Sequence, residues 1–365
     1  MEIPNISIAF LVKELKPLIE GARVRKVQEL PNNWLKVSLS RKPKNLQMVI
    51  AKEAVFLSSH SLPARQETSG FGAFLRKHLA GKTIQKIYQH GFDRVIVMEI
   101  NSHFLVVELF AKGNIALADS ERKILSAYRS ESWKDREIRK GAEYRFPFSK
   151  EFSPTNINVL QLFRFFQENT ADAIRAFIQR VNIAPIMAEE VFFVSGIPKE
   201  KPAKEITKSE LERLASLSKK FYSLEQEPHP VLIGAEGKEM LLPFELETAV
   251  RKQLLSSINY FLDEHFSKQL LAFPEQGLVK EKETKIIALK KSLERQFEEM
   301  EKLESEAVQS REKGEAIFAN YTKITELLDW ARQGHAENQE KNIMYKNNFF
   351  LKKFDRKNRR VIVEL

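Results

Sequence analysis

Between Ile6 and Ile19 apolar residues recur at near-helical spacing through Phe10, Val12, Leu15 and Leu18, and the run stops at Gly21-Ala22. The pattern predicts an amphipathic opening helix. The period then changes. Residues 23–30, 34–40, 46–51 and 54–58 form short β-branched or alternating runs separated by Pro31-Asn32-Asn33 and Lys42-Pro43-Lys44, which predicts an antiparallel meander. A second helix interrupts it: Phe71, Phe74, Leu75 and Leu79 share one face, Arg76, Lys77 and Lys82 lie on or beside the other, and Gly81 supplies the stop. Strands resume over 83–89, 94–100, 104–110 and 114–118 around the turns His90-Gly91-Phe92, Asn101-Ser102 and Lys112-Gly113. The expectation is one α+β domain over residues 1–150.

Residues 156–226 read as helices broken at 182–185, Gly196-Ile197-Pro198 and Lys201-Pro202, a second domain spanning 151–228. Over 229–275 the pattern predicts a hairpin from 231–233 and 240–242, then a connecting helix over 250–266. Beyond Gln276 the composition shifts to Glu, Lys, Leu and Ala, with Ile286, Leu289, Leu293, Met300, Leu303 and Leu328 on a seven-residue repeat. That is one helix of a coiled coil within 276–365, interrupted on its seam by Gln296, Ser310 and Gly314, and the sequence holds no evident partner segment. Self-association of this helix is one expectation. The chain then runs into a strand-like 359–365, which reads as a piece of a longer protein.

Composition narrows the classes. There are 59 Lys and Arg against 49 Asp and Glu, a formal charge of +10, among 365 residues with no Cys. A disulfide framework, a Cys-type zinc finger and a thiol nucleophile are excluded. No basic, apolar leader follows Met1, and no apolar run nears the ~18–20 residues needed to cross a bilayer. A cytoplasmic protein is expected, without a membrane partner. The positive charge favours a polyanionic partner without identifying it.

Catalytic strings are missing. No H-E-x-x-H, G-x-S-x-G or G-x-x-x-x-G-K-[ST] sequence occurs, and the seven His show no metal-ligand spacing, so neither a metal nor another cofactor is called for. Residues 180–191 have the form of a helix-hairpin-helix, in which a Gly-apolar-Gly turn lets two helices cross while backbone amides bind phosphate. Ile183 and Ala188 keep the packing positions, whereas Asn182 and Ala184 replace the glycines. Asn tolerates left-handed backbone and Ala leaves less room for a close approach. Two readings stand, a structural element and a platform for duplex DNA. Asp93-Arg94 enters a strand. Such a pair caps a turn or forms a weak surface ion pair, or else Arg94 reaches a phosphate or base edge while Asp93 orients it. Arg76-Lys77, Lys112-Gly113-Asn114 and the run 134–140 with Arg136 and Arg139 add polar and cationic groups in the same domain.

Four strings occur in order: Phe74-Leu75-Arg76-Lys77-His78-Leu79, Gln89-His90-Gly91-Phe92-Asp93-Arg94, Glu108-Leu109-Phe110-Ala111-Lys112-Gly113-Asn114-Ile115, and Trp133 through Tyr144. Together they resemble the NFACT family of ribosome-associated quality-control tailing factors, of the archaeal type, over essentially the whole chain. The resemblance implies a non-catalytic factor that binds tRNA, alanine tRNA in this type, and the large ribosomal subunit carrying a stalled peptidyl-tRNA. It implies support of template-free C-terminal alanine tailing, with peptidyl transfer done by the ribosome. It also implies that Asp93 and Arg94 are the tRNA-binding signature, with Arg76, Lys77, Lys112, Asn114, Arg136 and Arg139 as a nucleic-acid-binding rim. A C-terminal RNA-binding domain would normally follow the coiled coil. One departure is Ser7, where the family carries an Asp. The N-terminal domain also resembles the formamidopyrimidine-DNA glycosylase N-terminal fold, so the rival is a DNA-binding module. Glycosylase chemistry itself needs an N-terminal proline amine, and here Pro4 is internal.

Overall fold

In a computed structural model, the described residues are all except 66–67, 111, 134, 236–237, 250–251, 272–275, 333–342, 346–348, 356–359 and 365. They form two compact units, Met1–Leu278 and Val279–Leu365.

The first unit opens on α1 (Asn5–Ile19), whose residues from Asn5 to Val12 are all buried. A helix this enclosed cannot be a surface element, and it packs against both sheets that follow. The first sheet is a four-stranded meander of β1 (Arg23–Glu29), β2 (Leu35–Arg41), β3 (Lys44–Ile50) and β4 (Val55–Ser58). Helix α2 (Gly70–Leu79) is capped by the Ser69 hydroxyl on the Gly72 amide. The second sheet, also a meander, comprises β5 (Ile84–Gln89), β6 (Val95–Ile100), β7 (His103–Glu108), β8 (Asn114–Asp119) and β9 (Ile124–Ala127). Gly21 and Ala22 exchange backbone hydrogen bonds with Ile84, and Val24 with Gly81 and Lys82, so the two sheets are joined along β1 and β5. A two-residue pair, β10 (Glu131–Ser132) and β11 (Glu137–Ile138), follows.

Four helices make the next layer: α3 (Val159–Glu168), α4 (Ala173–Arg180), α5 (Pro185–Ser195) and α6 (Lys208–Phe221). The last begins with a reciprocal capping box between Thr207 and Glu210. A three-stranded sheet then carries β12 (Val231–Ala235) between β13 (Lys238–Leu242) and β14 (Lys252–Leu254), and α7 (Ile258–Leu271) closes the unit. The helix expected over 250–266 is thus corrected. Lys252–Leu254 pairs with β12, and helix starts only at Ile258, where the Glu14 carboxylate accepts from the Ile258 and Asn259 amides. One hydrophobic cluster runs from Ile3 to Leu270, so sheets, helical layer and connector share a core. The observed class is α+β, as expected from the pattern.

The second unit contains most of the 44-residue α8 (Gln276–Ala319), then α9 (Tyr321–Arg332) and a sheet of β15 (Ile343–Tyr345), β16 (Phe349–Asp355) and β17 (Arg360–Glu364). The heptad residues Ile286, Leu289, Leu293, Met300 and Leu303 are exposed, and no described helix forms an extended packing interface with α8. No described helix is long and apolar enough to cross a membrane.

Candidate nucleic-acid interface

The turn before β6 is fixed from several sides. Gln89 Nε2 donates to the Asp93 carbonyl at 2.8 Å and to the Asn5 carbonyl at 2.9 Å. The Asn5 amide donates to the carbonyls of Phe92 and Asn182, both at 2.9 Å, while its oxygen accepts from the Tyr222 hydroxyl at 2.9 Å. That hydroxyl in turn accepts from the Ala184 amide at 3.0 Å. Burial pushes the Tyr222 phenol well above its ordinary pKa, so it stays protonated and can donate. The start of α1, the Asp93 turn, the α4–α5 turn and the end of α6 are therefore one hydrogen-bonded unit.

Asp93 belongs to that unit. Its carboxylate accepts from Asn182 Nδ2 at 2.7 Å through one oxygen and from the Ser149 hydroxyl through the other. Arg94 does not. Its carbonyl accepts from the Leu109 amide at 2.8 Å, which holds the backbone, but among the described residues its guanidinium has no hydrogen-bond or ion-pair partner. It lines two adjoining cavities. The larger, about 680 Å³, is walled by Glu2, Ile3, Lys52, Glu53, Phe110, Lys112 and Arg129 as well as Arg94. The smaller, about 300 Å³, lies between Asp93, Arg94, Phe110, Pro147 and the α4–α5 turn at residues 182–185.

Gly113 explains how cations from distant turns meet in the larger cavity. Its φ is +63°, and a Cβ there would lie 2.7 Å from the Lys52 carbonyl oxygen. Only glycine lets these two backbones touch, and the contact sets exposed Lys52 beside exposed Lys112. Arg129 is held from behind by a hydrogen bond to the Gly113 carbonyl and by Glu131 at 3.4 Å. The electrostatic result is four cationic side chains around a concave surface with Glu2 and Glu53 as its carboxylates. Such a surface suits a phosphate backbone.

The chain matches the family model described as "NFACT N-terminal and middle domains" over residues 5–349. It belongs to the NFACT family. Among curated relatives, the archaeal Rqc2 homolog aRqcH of Methanocaldococcus jannaschii is 27% identical over 353 residues, covering 91% of this chain and 52% of that protein. The Rqc2 homolog RqcH of Streptococcus suis is 22% identical, covering 87% of this chain and 58% of that protein. This NFACT chain thus spans about half the length of the curated relatives it matches along most of its own length. The solved fibrinogen binding protein from Staphylococcus aureus shares the fold, with a TM-score of 0.60 and 20% identity over 72% of this chain and 98% of that one.

The other residues expected at an NFACT rim are dispersed. Lys112 lines the larger cavity. Lys77 is exposed and Arg139 pairs with Glu137, but neither lines either cavity. Arg76 donates to the Val27 carbonyl at 3.1 Å and to Thr68 at 2.9 Å, tying α2 to β1. Two expectations need correction. Asn114 is buried, with its oxygen accepting from the amides of Ile115 and Arg129 and its nitrogen donating to the Arg129 carbonyl and Glu131. It pins the turn and offers nothing to solvent. The Arg136 side chain is only 10% exposed and ion-pairs with buried Glu108 at 2.9 Å, and Glu108 also accepts from Tyr144 at 2.7 Å. A buried carboxylate is costly unless it is paired and hydrogen-bonded, so Arg136 stabilises the fold, its guanidinium lying 5.8 Å over the Phe110 ring. Ser7, in the place of the family Asp, is buried and donates to the Leu241 carbonyl at 2.6 Å.

The α4–α5 turn also differs from expectation. The non-glycine residues with positive φ are Asn32, Asn33, Asn101 and Arg122 among the described residues, so Asn182 supplies no left-handed corner. Its function here is the side-chain bond to Asp93. Lys52, Arg129, Asn5 and Ser149 carry no sequence signal of their own.

Proposed function

We propose that this chain is the tRNA- and ribosome-binding part of a ribosome-associated quality-control factor, acting in the cytoplasm. It engages the obstructed large subunit with its stalled peptidyl-tRNA and supports template-free alanine tailing, and it catalyses no bond formation itself. The names of the relatives support the process. The observation that carries the molecular reading is the Arg94 guanidinium, without a partner among the described residues, between two cavities of which the larger is rimmed by Lys52, Lys112 and Arg129. Arg94 contacts the RNA backbone or a base edge, and Asp93 positions it by locking the turn to Asn182 and Ser149.

The test is ultraviolet crosslinking of the native protein in its own cells, followed by sequencing of the retained nucleic acid. Recovery of tRNA with large-subunit rRNA, lost in Arg94→Glu, is expected. Recovery of duplex DNA without RNA would overturn the reading in favour of a DNA-binding module. Asp93→Asn keeps acceptor oxygen on one side only, so it should weaken RNA retention less than Arg94→Glu does. Equal retention by wild type and Arg94→Glu would remove Arg94 from the site.

A further inference from the structure

The segment Tyr144-Arg145-Phe146-Pro147-Phe148-Ser149-Lys150 passes the smaller cavity, and all of its residues but Arg145 and Phe148 are buried or half-buried. Tyr144 is buried on Glu108. Phe146 stacks on His90 with ring centroids 3.5 Å apart and planes 2° from parallel, and Tyr144 meets its edge at 5.2 Å. Pro147 forms part of the cavity wall, and the Ser149 hydroxyl is bonded to Asp93. Lys150 is embedded enough for burial to lower its pKa. Between Pro147 and Ser149, Phe148 is 99% exposed.

A single exposed apolar side chain is ordinary on a protein surface. This one differs in how it is held. Its two chain neighbours are fixed, one by the cavity wall and one by the carboxylate next to Arg94, so its backbone is presented rigidly at a distance of one residue from the cavity. A phenyl ring left wholly in water forgoes the burial that stabilises the rings around it. The cavity that Pro147 walls, one residue from Phe148, also takes in the Arg94 guanidinium, which has no partner among the described residues. A planar apolar face beside cations that take phosphates is the combination by which proteins hold single-stranded nucleic acid, because a base gains by stacking while its backbone is neutralised.

We propose that Phe148 is a stacking platform for one unpaired base of the bound RNA, adjacent to the phosphate taken by Arg94. The inference rests on the RNA-binding reading above and adds a requirement that reading lacks: the RNA must present an unstacked base at this point. A loop satisfies it and a continuous duplex does not. Because nothing packs on the ring, Phe148→Ala leaves the melting temperature unchanged, and Phe148→Trp restores or enlarges the stacking face.

The experiment measures binding of wild type, Phe148→Ala, Phe148→Trp and Arg94→Glu to two synthetic RNAs, a stem capped by a seven-nucleotide uridine-rich loop and a blunt duplex of the same stem. Phe148→Ala is expected to weaken hairpin binding by about 5- to 150-fold, the range for loss of one base–aromatic stack. Duplex binding stays unchanged, and Phe148→Trp binds the hairpin at least as well as wild type. Ultraviolet crosslinking of the wild-type complex places a uridine on Phe148. Hairpin binding that is equal in wild type and Phe148→Ala but lost in Arg94→Glu would overturn the stacking role and leave the RNA interface standing. Binding of neither RNA, or binding indifferent to Arg94→Glu, would overturn the interface and the inference together. An equal loss on hairpin and duplex, or a Phe148→Ala defect confined to capture of a protein, would also refute it.

Discussion

The Tyr222 hydroxyl stands between two polar atoms that have no other hydrogen-bond partner among the described residues, the Asn5 side-chain oxygen and the Ala184 amide. Tyr222→Phe keeps the ring but leaves both unpaired inside the protein, at a cost of about 1–3 kcal/mol. A urea titration should show the lowered midpoint, and an unchanged midpoint would mean that water replaces the hydroxyl. Gly113→Ala acts differently. The substituted residue would have to hold φ near +63° with its Cβ 2.7 Å from the Lys52 carbonyl, so the two turns must separate. Strain of this kind costs about 1–3 kcal/mol, and it also displaces Lys52 from Lys112. Loss of stability together with weaker RNA binding is expected from denaturant titration and binding of the same variant; full RNA affinity would show that the close approach of the turns is not needed by the site. At this scale the sequence was a partial guide. Asp93-Arg94 stood out through a resemblance, whereas Asn114 after a Lys-Gly turn looked like a surface group because three of its four hydrogen bonds go to Arg129 and Glu131, which a pattern cannot connect to it. Arg136, in a run dense with charge, gave no sign that Glu108 and Tyr144 wait beneath it. The cavity cations Lys52 and Arg129 were illegible for the same reason: which turns touch is decided by a backbone contact at Gly113.

Among the elements, four strands of each meander announced themselves because each alternates or runs apolar and ends at a turn sequence, whereas β9, the fifth strand of the second sheet, was not expected. Strand β14 did not, since Lys252-Gln253-Leu254 has one apolar residue in three and precedes a true helix. Its partner β12 supplies what propensity withholds. Packing between elements also sets a pH response. Burial holds the His90 imidazole below its ordinary pKa of 6.5; Asp93 raises it in part and Arg122 lowers it further. His78 and His103 are lowered as well, again chiefly by burial. Below 6.5 the unfolded chain therefore binds more protons than the folded one, so stability rises with pH, is complete above that value and is lost as pH falls through it towards the folded pKa. The urea midpoint should be lower at pH 5.5 than at pH 7.5. His90→Phe keeps a ring on Phe146 without a titrating group, and should shrink that difference. If the two midpoints coincide in the wild type, the folded imidazoles titrate as they do in the unfolded chain.

For the whole molecule, a formal charge of +10 says only that an anion is favoured. The arrangement says more, because some cations are committed and others are not. Arg136 is bound to Glu108, Arg139 to Glu137, and Arg180 to Glu151 at 2.7 Å, whereas Lys52, Arg94 and Lys112 converge on one cavity without a carboxylate partner among the described residues. Free cations release counterions from a nucleic acid; paired ones do so only after giving up their carboxylates. RNA binding should therefore weaken linearly in a plot of log affinity against log salt. Lys52→Ala and Lys112→Ala should each reduce the slope by about 1 and weaken all RNA sequences alike. Arg139→Ala, whose partner already neutralises it, should leave the slope nearly unchanged. A slope that responds to Arg139 and ignores Lys52 and Lys112 would move the phosphate track off this cavity and onto the edge of the five-stranded sheet, separating the nucleic-acid surface from Asp93 and Arg94 altogether.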